Sequence, residues 1–322
     1  MTRTRSATAL WSTAAVGLTL ALTLTGCGGP SAPQPGDAKG DATSSSSTVP
    51  DTSKILDEVS KDDALAAKVP SAIADKGTLT VGSNVQSAPN NFYAADGSTV
   101  IGSDHDLITA IGKKLGLDVD YKNQDFGSLI TSLQSGRVDV TIAAMNDTAE
   151  RQKTIDFVDY LTSGITLMVQ KGNPAKITGP DTLCGKKIAV VTGTSQQTFA
   201  ETTSATCETK GEKALDITVT DSDSQNQTQL RTGRIDAIVN DLPSAVYISK
   251  TTQDGNAFEV VPGDVIDGAP YGIGVNKDQP ELRDAIAEAL DSLIADGTYA
   301  DVLKAWGITS GSVTEATVNG GK

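Results

Sequence analysis

Polar and charged side chains follow two similar segments of this chain. Each segment has a helix end, a glycine, an Arg-Val/Ile-Asp triplet and then an apolar strand. The segments are Leu133-Gln134-Ser135-Gly136-Arg137-Val138-Asp139 and Leu230-Arg231-Thr232-Gly233-Arg234-Ile235-Asp236. The strands that follow end at Asn146-Asp147 and at Asn240-Asp241. Ligands of open α/β sheets bind outside the carboxyl ends of the strands, so these groups are candidates for binding a polar ligand.

The glycines of the two segments predict where helices end. Glycine adopts the left-handed conformation that closes a helix without a side-chain clash. Gly136 and Gly233 therefore predict a helix-turn-strand unit that is used twice. Two α/β lobes of this kind, facing one another, would place two strand exits across one cleft.

The motifs of common enzyme classes are missing from the sequence. It contains no Gly-x-Ser-x-Gly and no Walker A motif, and Gly272-Ile273-Gly274 does not continue as Gly-x-Gly-x-x-Gly. His105 is the only histidine, and we expect it to be solvated or locally bonded at the start of a helix. Two thiolates without further ligands do not make a zinc site, so no metal and no cofactor is expected. The sequence therefore favours binding over catalysis.

The amino terminus indicates export. Arg3 and Arg5 precede an apolar run that ends at Leu24-Thr25-Gly26-Cys27, a run too short for a membrane-spanning helix. This pattern is similar to a lipobox, which implies that Cys27 becomes the lipid-modified first residue after removal of signal peptide 1–26. An ordinary secretory signal with an incidental cysteine is the alternative. Residues 27–52 are rich in Gly, Pro, Ser and Ala and predict a flexible linker.

Charge and cysteine content restrict the partners and the compartment. The net charge of −14 argues against nucleic acid, which favours clusters of Lys and Arg. With Cys27 assigned to the lipid, Cys184 and Cys207 remain as an even pair, and outside the cell we expect one disulfide between them.

Hydrophobic periodicity predicts alternating strands and helices after the linker. One or two short helices are expected within 53–76. Strands are expected at 78–81, 118–121, 138–144, 165–169, 187–191, 217–220, 235–239, 258–261 and 271–275. Helices are expected from Asp104, over 126–133, from about Ser195, up to Gly233, beyond Pro243, and over 279–295 and 298–306. The predicted domains are lobe 1 (53–165 plus 270–311), lobe 2 (166–269) and a C-terminal tail (312–322).

Eight short motifs occur along the chain in a characteristic order. They are Gly77-Thr78-Leu79-Thr80-Val81-Gly82, the 133–139 segment, Thr148-Ala149-Glu150-Arg151 with Ile155-Asp156-Phe157, Leu183-Cys184-Gly185-Lys186-Lys187-Ile188-Ala189-Val190, Gly193-Thr194-Ser195, Gly233-Arg234-Ile235-Asp236-Ala237, Pro270-Tyr271-Gly272-Ile273, and Gly297-Thr298-Tyr299 to Trp306-Gly307. From about Gly77 to Gly307 the chain thereby resembles the family 3 extracytoplasmic solute-binding proteins, the amino-acid receptors of ABC importers. The resemblance implies an α/β, two-lobed, periplasmic-binding-protein-like (type II) fold with a ligand cleft between the lobes and a two-segment hinge.

The resemblance also implies roles for individual residues. Arg151 is at the position that binds the ligand carboxylate, to which a guanidinium offers a bidentate fork. Asp241 is at the position that binds the ligand ammonium, although an aspartate there can also be a helix N-cap. Asn146, Thr194 and Ser195 would contact the carboxylate, the last two at a helix N-terminus. Phe126 matches an aromatic wall.

Departures from the family pattern bear on the ligand. Asn84 replaces an acidic residue, which removes the usual countercharge for a basic side chain. Ser87 replaces an aromatic residue and opens one wall, and Ala144 replaces a glycine and narrows the floor. A polar ligand that is not basic is therefore expected, and a small peptide or another zwitterion is not excluded.

Together these features predict a monomeric lipoprotein on the outer face of the bacterial cell membrane. It would capture an amino acid by clamp closure and deliver it to an ABC transporter permease. Two alternatives use the same fold: a sensor that reports the ligand to another protein, and a dehydratase-like enzyme. A dehydratase acting on a ring acid would have no ammonium to pair with Asp241, which favours the receptor.

Overall fold

The computed structural model describes residues 49–322. The predicted signal peptide, Cys27 and most of the predicted linker lie outside these residues. The helices are α1 (Ser53–Asp57), α2 (Asp63–Ala66), α3 (Ser71–Lys76), α4 (Ser103–Leu115), α5 (Leu129–Gln134), α6 (Ala149–Gln152), α7 (Ser195–Thr209), α8 (Asp223–Arg231), α9 (Leu242–Thr251), α10 (Pro280–Asp296) and α11 (Thr298–Trp306). The strands are β1 (Thr78–Ser83), β2 (Phe92–Tyr93), β3 (Val100–Ile101), β4 (Asp118–Asn123), β5 (Val140–Thr141), β6 (Ile155–Gln170), β7 (Lys187–Val191), β8 (Asp216–Thr220), β9 (Ala237–Asp241), β10 (Phe258–Val260), β11 (Ile266–Asn276) and β12 (Ser312–Val318). Over this part of the chain, no helix combines the length and the apolarity needed to cross a bilayer.

Most of these strands form one mixed sheet that runs through two lobes. Its order is β4-β1-β5-β11-β6-β9-β7-β8, with β10 and β12 also paired to β6. In lobe 1, β1 is parallel to β4 and β5, and in lobe 2, β7 is parallel to β8 and β9. Helices α4, α10 and α11 bury apolar faces in the lobe 1 core, and α7 contributes to the lobe 2 core. The two-lobed α/β fold expected from the sequence is confirmed.

Strands β6 and β11 cross between the lobes. The first part of β6 pairs with β11 in lobe 1, and its last residues pair with β9 and β10 in lobe 2. The register of β11 against β6 shifts between Ile266 and Ala269, where Asp267 has a φ of 47°. The sequence placed a crossing strand only at 165–169. The structure instead has one 16-residue strand, in which every residue except Thr162 and Gln170 is buried.

The two repeated segments have the same local structure. Gly136 (φ 67°) and Gly233 (φ 69°) adopt the left-handed conformation just after α5 and α8, which confirms the predicted helix ends. The aspartate of each segment accepts a hydrogen bond from the first residues of a neighbouring parallel strand: Asp139 from Thr80 N and Asp236 from Lys187 N, at 2.7 and 2.8 Å. These aspartates therefore fix strand register on both sides of the molecule.

Three local predictions differ from the structure. The strand expected over 138–144 is limited to Val140–Thr141. It does not extend to Ala144, because Ala144 has a φ of 47° and donates its N–H to the Asp104 carboxylate instead of to a neighbouring strand. Residues 53–76 form three short helices, not one or two. The segment expected only as a C-terminal tail contains β12, which pairs with β6 and so extends the sheet of lobe 1.

Candidate functional site

A small cavity of about 50 Å³ lies where strand exits of the two lobes meet. Asn84 follows β1, Asn146 follows β5, Thr194 follows β7, and Asp241 is the last residue of β9. Its lining residues are Asn84, Gln86, Ser87, Phe126, Ala143, Ala144, Asn146, Val191, Thr194, Gln196, Asp223, Val239, Asn240 and Asp241. The cavity is therefore at the carboxyl ends of strands, where an α/β sheet offers side chains and amides to a ligand.

The structure brings the nine predicted ligand-binding residues together. Seven of them line the cavity: Asn84, Ser87, Phe126, Ala144, Asn146, Thr194 and Asp241. Arg151 and Ser195 line a neighbouring groove of about 790 Å³ that also contains Thr194 and runs along α7. Their roles toward a ligand stay predictions.

Arg151 is positioned by a short capped helix. Thr148 is the N-cap of α6, and its hydroxyl accepts a hydrogen bond from Arg151 N at 3.3 Å. The guanidinium lies over the Phe126 ring, 5.5 Å from its centroid. It donates from Nη1 to Asn146 O at 2.7 Å and from Nη2 to Gly193 O at 3.0 Å, so it contacts both lobes. Burial lowers the pKa of Arg151, and the charges of Asp241 and Asp147 oppose this shift.

Asp241 is an N-cap residue whose carboxylate does not cap the helix. It precedes α9, yet its side chain accepts no hydrogen bond from the first turn of that helix. Its Oδ1 atom is buried and has no hydrogen-bond partner among residues 49–322. Burial raises the pKa of the Asp241 carboxyl to about 7, although the neighbouring Tyr271 hydroxyl, the Arg151 charge and the Gln196 side chain favour the ionised form. The Asp241 carboxyl is thus available to a group that enters the cavity.

Hydrogen bonds between the lobes close the cleft. Ser195 Oγ donates to Asn146 Oδ1 at 2.5 Å. On the other side of the cavity, Ser244 Oγ lies 3.3 Å from Ser87 Oγ and accepts from Asn90 Nδ2 at 3.4 Å. The structure is therefore the closed arrangement of the two lobes.

Thr194 and Ser195 begin helix α7 at the cavity. The Thr194 hydroxyl accepts a hydrogen bond from Gln197 N at 3.2 Å, which makes it the N-cap. The amide groups of the first helical turn point out of the helix end and have no partner inside the helix, so they suit an anionic ligand.

Sequence reasoning missed several polar residues of the cavity, of which Asp223 is the most informative. Its carboxylate accepts hydrogen bonds from Asn240 Nδ2 at 3.1 Å and Gln227 Nε2 at 2.7 Å, and burial raises its pKa to about 6. The strand-exit rule could have found it, because α8 begins shortly after β8 ends. Gln196 follows the Gly193-Thr194-Ser195 motif directly and could have been found in the same way.

The described residues do not suggest a metal centre or a catalytic histidine. Within 49–322, no group of three or more His, Cys, Asp and Glu side chains is arranged to hold a metal ion. His105 is bonded locally to Asp106 through Nδ1 at 3.2 Å and is not among the residues that line the cavity.

Comparison with known proteins places this geometry in context. The family model of the bacterial extracellular solute-binding proteins, family 3, matches residues 79–309. The arginine-binding protein ArgT of Corynebacterium glutamicum is 32% identical, over 79% of this chain and 82% of its own length. The L-cystine-binding protein TcyJ of Escherichia coli K12 is 30% identical, over 73% and 84%. A solved structure of an ancestral arginine-binding protein bound to arginine superposes with a TM-score of 0.65 at 35% identity, covering 71% of this chain and 98% of that one.

Proposed function

This chain belongs to the family 3 bacterial extracellular solute-binding proteins, and from that premise we propose that it captures a free α-amino acid in the cavity between its lobes. Arg151 binds the ligand carboxylate and Asp241 binds the ligand ammonium. The observation that carries the proposal is the buried, unpartnered Asp241 Oδ1 in a cavity flanked by the Arg151 guanidinium. An empty hydrogen-bonding position on a buried carboxylate is costly unless a donor fills it.

The two charged groups suit the two ends of a zwitterion. The charges of Arg151 and Asp241 each influence the pKa of the other group. An amino acid between them would pair each group with an opposite charge. A charge-assisted hydrogen bond contributes about 1.5–3 kcal/mol, and micromolar affinity requires about 8 kcal/mol. A few such bonds are therefore sufficient.

The named relatives are binding proteins and not enzymes, and this chain is a binding protein as well. Proteins of this family work with ABC transporters. We infer that the closed form delivers the ligand to a membrane permease. Closure supports this inference because it joins surfaces of both lobes that are separate in an open clamp. A sensor role remains the second candidate, since closure would create the same surface for a signalling partner.

The side-chain specificity is argued from two opposing features of the cavity. Asn84 leaves a basic ligand without the countercharge at the position expected from the family, which supports a polar ligand that is not basic. Asp223 adds a carboxylate from lobe 2, which supports a ligand with a second donor or a positive charge. The relative named for arginine agrees with a basic ligand, and the relative named for cystine agrees with a polar ligand that is not basic. We retain the polar, non-basic ligand as the proposal, with Asp223 accepting a hydrogen bond from its side chain.

The cellular location follows from the predicted lipobox. We propose that Cys27 carries the lipid and tethers the protein outside the cell membrane. Mass spectrometry of the protein purified from its native membrane tests this: a diacylglyceryl-modified Cys27 is expected, and an unmodified, released protein would contradict it.

Calorimetric titration tests the receptor function directly. The chain without residues 1–27 is unfolded and refolded to remove any bound ligand, and the twenty L-amino acids are titrated in turn. Saturable binding of one or a few polar amino acids is expected. Binding of only Arg, Lys or His would overturn the proposed specificity. The absence of binding heat for all twenty amino acids would overturn the proposal that the protein is an amino-acid receptor.

The Arg151→Lys and Arg151→Ala variants test the assigned carboxylate site. Lysine keeps the charge but loses the bidentate fork, so its affinity should be intermediate. Alanine should weaken binding by more than about tenfold, because one or more charge-assisted hydrogen bonds to the ligand carboxylate are lost. Circular dichroism serves as the control for folding, and near-normal affinity of the alanine variant would refute the assignment.

A further inference from the structure

The last residues of the chain are bound tightly against lobe 1. Residues 319–321, which we call the C-terminal clip, follow β12 directly. Asn319 exchanges hydrogen bonds with Phe157, from Asn319 N to Phe157 O at 3.1 Å and from Phe157 N to Asn319 Oδ1 at 2.9 Å. Its Nδ2 also donates to Asp156 Oδ1 at 3.0 Å. The clip is therefore attached to the start of β6.

The two glycines of the clip each donate a hydrogen bond to a buried carboxylate. Gly320 N donates to Asp159 Oδ2 at 3.0 Å, and Gly321 N donates to Asp147 Oδ2 at 2.8 Å. Asp147 is 0% exposed and Asp159 is 3% exposed. Burial and the negative charge of Asp147 raise the pKa of Asp159 to about 7. The clip thus supplies one backbone donor to each of two buried carboxylates.

Gly321 contacts both ends of the helix that carries Arg151. Its N–H binds Asp147, just before the N-cap of α6, and its carbonyl accepts from Gln152 Nε2 at 3.0 Å, at the end of α6. The same Gln152 Nε2 donates to Asp147 Oδ1 at 2.8 Å, which closes a small network around the helix. A four-residue helix has few bonds of its own, so this network contributes much of its restraint.

The fit between the clip and lobe 1 requires glycine. A Cβ atom at position 321 would lie 2.1 Å from Asp147 O, and one at position 320 would lie 2.7 Å from Asp159 Oδ2. Asn319 has a φ of 54°, in the left-handed region that asparagine tolerates better than most residues. The clip also lies beyond the residues that match the family model, which end at 309.

From these contacts we propose that the C-terminal clip is a positioning element for the ligand site. By bracketing α6 it holds Arg151 in the orientation that meets the ligand carboxylate, and so increases ligand affinity. The proposal rests on the role of Arg151 proposed above. It makes Gly321 a positioning residue that does not itself touch the ligand.

Two variants disrupt the clip, and a third provides a matched control. Gly321→Ala introduces the clash with Asp147 O, and deletion of residues 319–322 removes the clip even if the alanine variant fails to fold. Gly179→Ala is the control, because Gly179 has no heavy atom within 4 Å of an added Cβ and no left-handed φ. The probe is the amino acid that binds most tightly in the panel titration.

We expect both clip variants to raise Kd roughly three- to tenfold, the range typical of residues that act on a site through others. The control variant should bind as the wild type does. In the ligand-free protein, amide hydrogen exchange over residues 147–153 should accelerate in the clip variants alone. Unchanged affinity together with unchanged exchange in this segment would overturn the proposal.

A double-mutant cycle with Arg151→Lys separates positioning from general stability. If the clip acts through Arg151, Gly321→Ala should weaken binding less in the Arg151→Lys background than in the wild type. Equal effects in both backgrounds would overturn the positioning role. If Arg151→Lys and Arg151→Ala themselves bind normally, the proposed carboxylate site fails, and that outcome is visible independently of either clip variant.

Discussion

At the scale of single residues, Asp241 is placed at a helix start but is not used by the helix. Its carboxylate makes no capping hydrogen bond, and its Oδ1 is buried without a partner among the described residues. Asp139 and Asp236, by contrast, follow similar glycine turns and are fully engaged with neighbouring strands. The difference in hydrogen bonding separates the aspartates that hold the fold from the one available to a ligand.

Ligand affinity should depend on pH through Asp241. Its pKa of about 7 means that the ligand-free protein holds a proton there at lower pH. A bound ammonium stabilises the ionised form and lowers this pKa, so binding below pH 7 releases a proton. Affinity should therefore rise with pH by up to about tenfold per unit between pH 5 and 7, and then level off. Calorimetry in two buffers of different ionisation heat measures the proton release.

Two variants assign this pH dependence to a residue. Asp241→Asn should abolish it and weaken binding, because the ammonium loses its countercharge. Asp223→Asn should preserve it, since Asp223, with a pKa of about 6, is not the proposed ammonium site. If proton release persists in Asp241→Asn and disappears in Asp223→Asn, Asp223 and not Asp241 binds the ammonium.

At the scale of elements, α7 has the proposed ligand site at one end and a covalent restraint at the other. Thr194 and Ser195 lie at its N-terminus, and Cys207 lies in its last turn, where it forms the predicted disulfide with Cys184. The 15-residue helix is about 22 Å long. The disulfide therefore stabilises lobe 2 at a distance from the cavity.

Removing the disulfide should affect stability and not affinity. Its cysteines are 23 residues apart, and closing a loop of that size restrains the unfolded chain by about 3 kcal/mol in the entropic model. We expect the Cys184→Ala/Cys207→Ala variant to lose about that much free energy of unfolding in denaturant titrations, with Kd unchanged. Adding reductant should destabilise the wild type but not the variant; equal stability of the two proteins under oxidising conditions would contradict the prediction.

At the scale of the whole molecule, the ligand cavity exists only because the lobes are closed. The side-chain contacts between the lobes include hydrogen bonds of Ser195 to Asn146, of Ser87 and Asn90 to Ser244, and of Arg151 to Gly193. The Phe92 ring also packs against Tyr247, with 5.8 Å between the ring centroids. The lobes are otherwise joined through β6 and β11. Closure is thus set by a small number of weak contacts and by the geometry of two strands, which allows a ligand to shift the balance.

Gly164 on β6 provides a test of closure. In the closed structure an added Cβ would lie 2.8 Å from Val265 Cβ and 2.9 Å from Ile266 O. Gly164→Ala should therefore strain the crossing strands β6 and β11 in the closed arrangement and weaken ligand binding roughly tenfold, the scale of an overpacking cost. Small-angle X-ray scattering should show that the wild type contracts on saturation with ligand, and that the variant needs more ligand to do so.

Gly268 on β11 offers the matched control for this change. An added Cβ there would approach no heavy atom closer than 3.7 Å, so Gly268→Ala should bind and contract as the wild type does. Weakening of both variants to the same degree would show that any added side chain at the crossing matters, and would refute the specific clash at Gly164.

The sequence by itself determined the features that depend on neighbouring residues. Apolar periodicity placed most helices and strands, glycine at 136 and 233 ended two helices, and the cysteine count predicted the pair that forms the disulfide. These signals are local, because a helix end or a strand face is set by a few consecutive side chains. The motif order supplied the family and, with it, the residues proposed to bind the ligand.

Only the tertiary structure decided which groups meet across long separations in the chain. It brought Asp223 to the cavity, left the Asp241 carboxylate without a capping bond, directed the Ala144 N–H to Asp104, and placed residues 319–321 beside Asp147. A strand exit marks Asp223 as a candidate, but the partners of all these residues lie on elements whose approach depends on how the whole sheet packs. The residue types were visible in the sequence, but their partners were fixed by the fold.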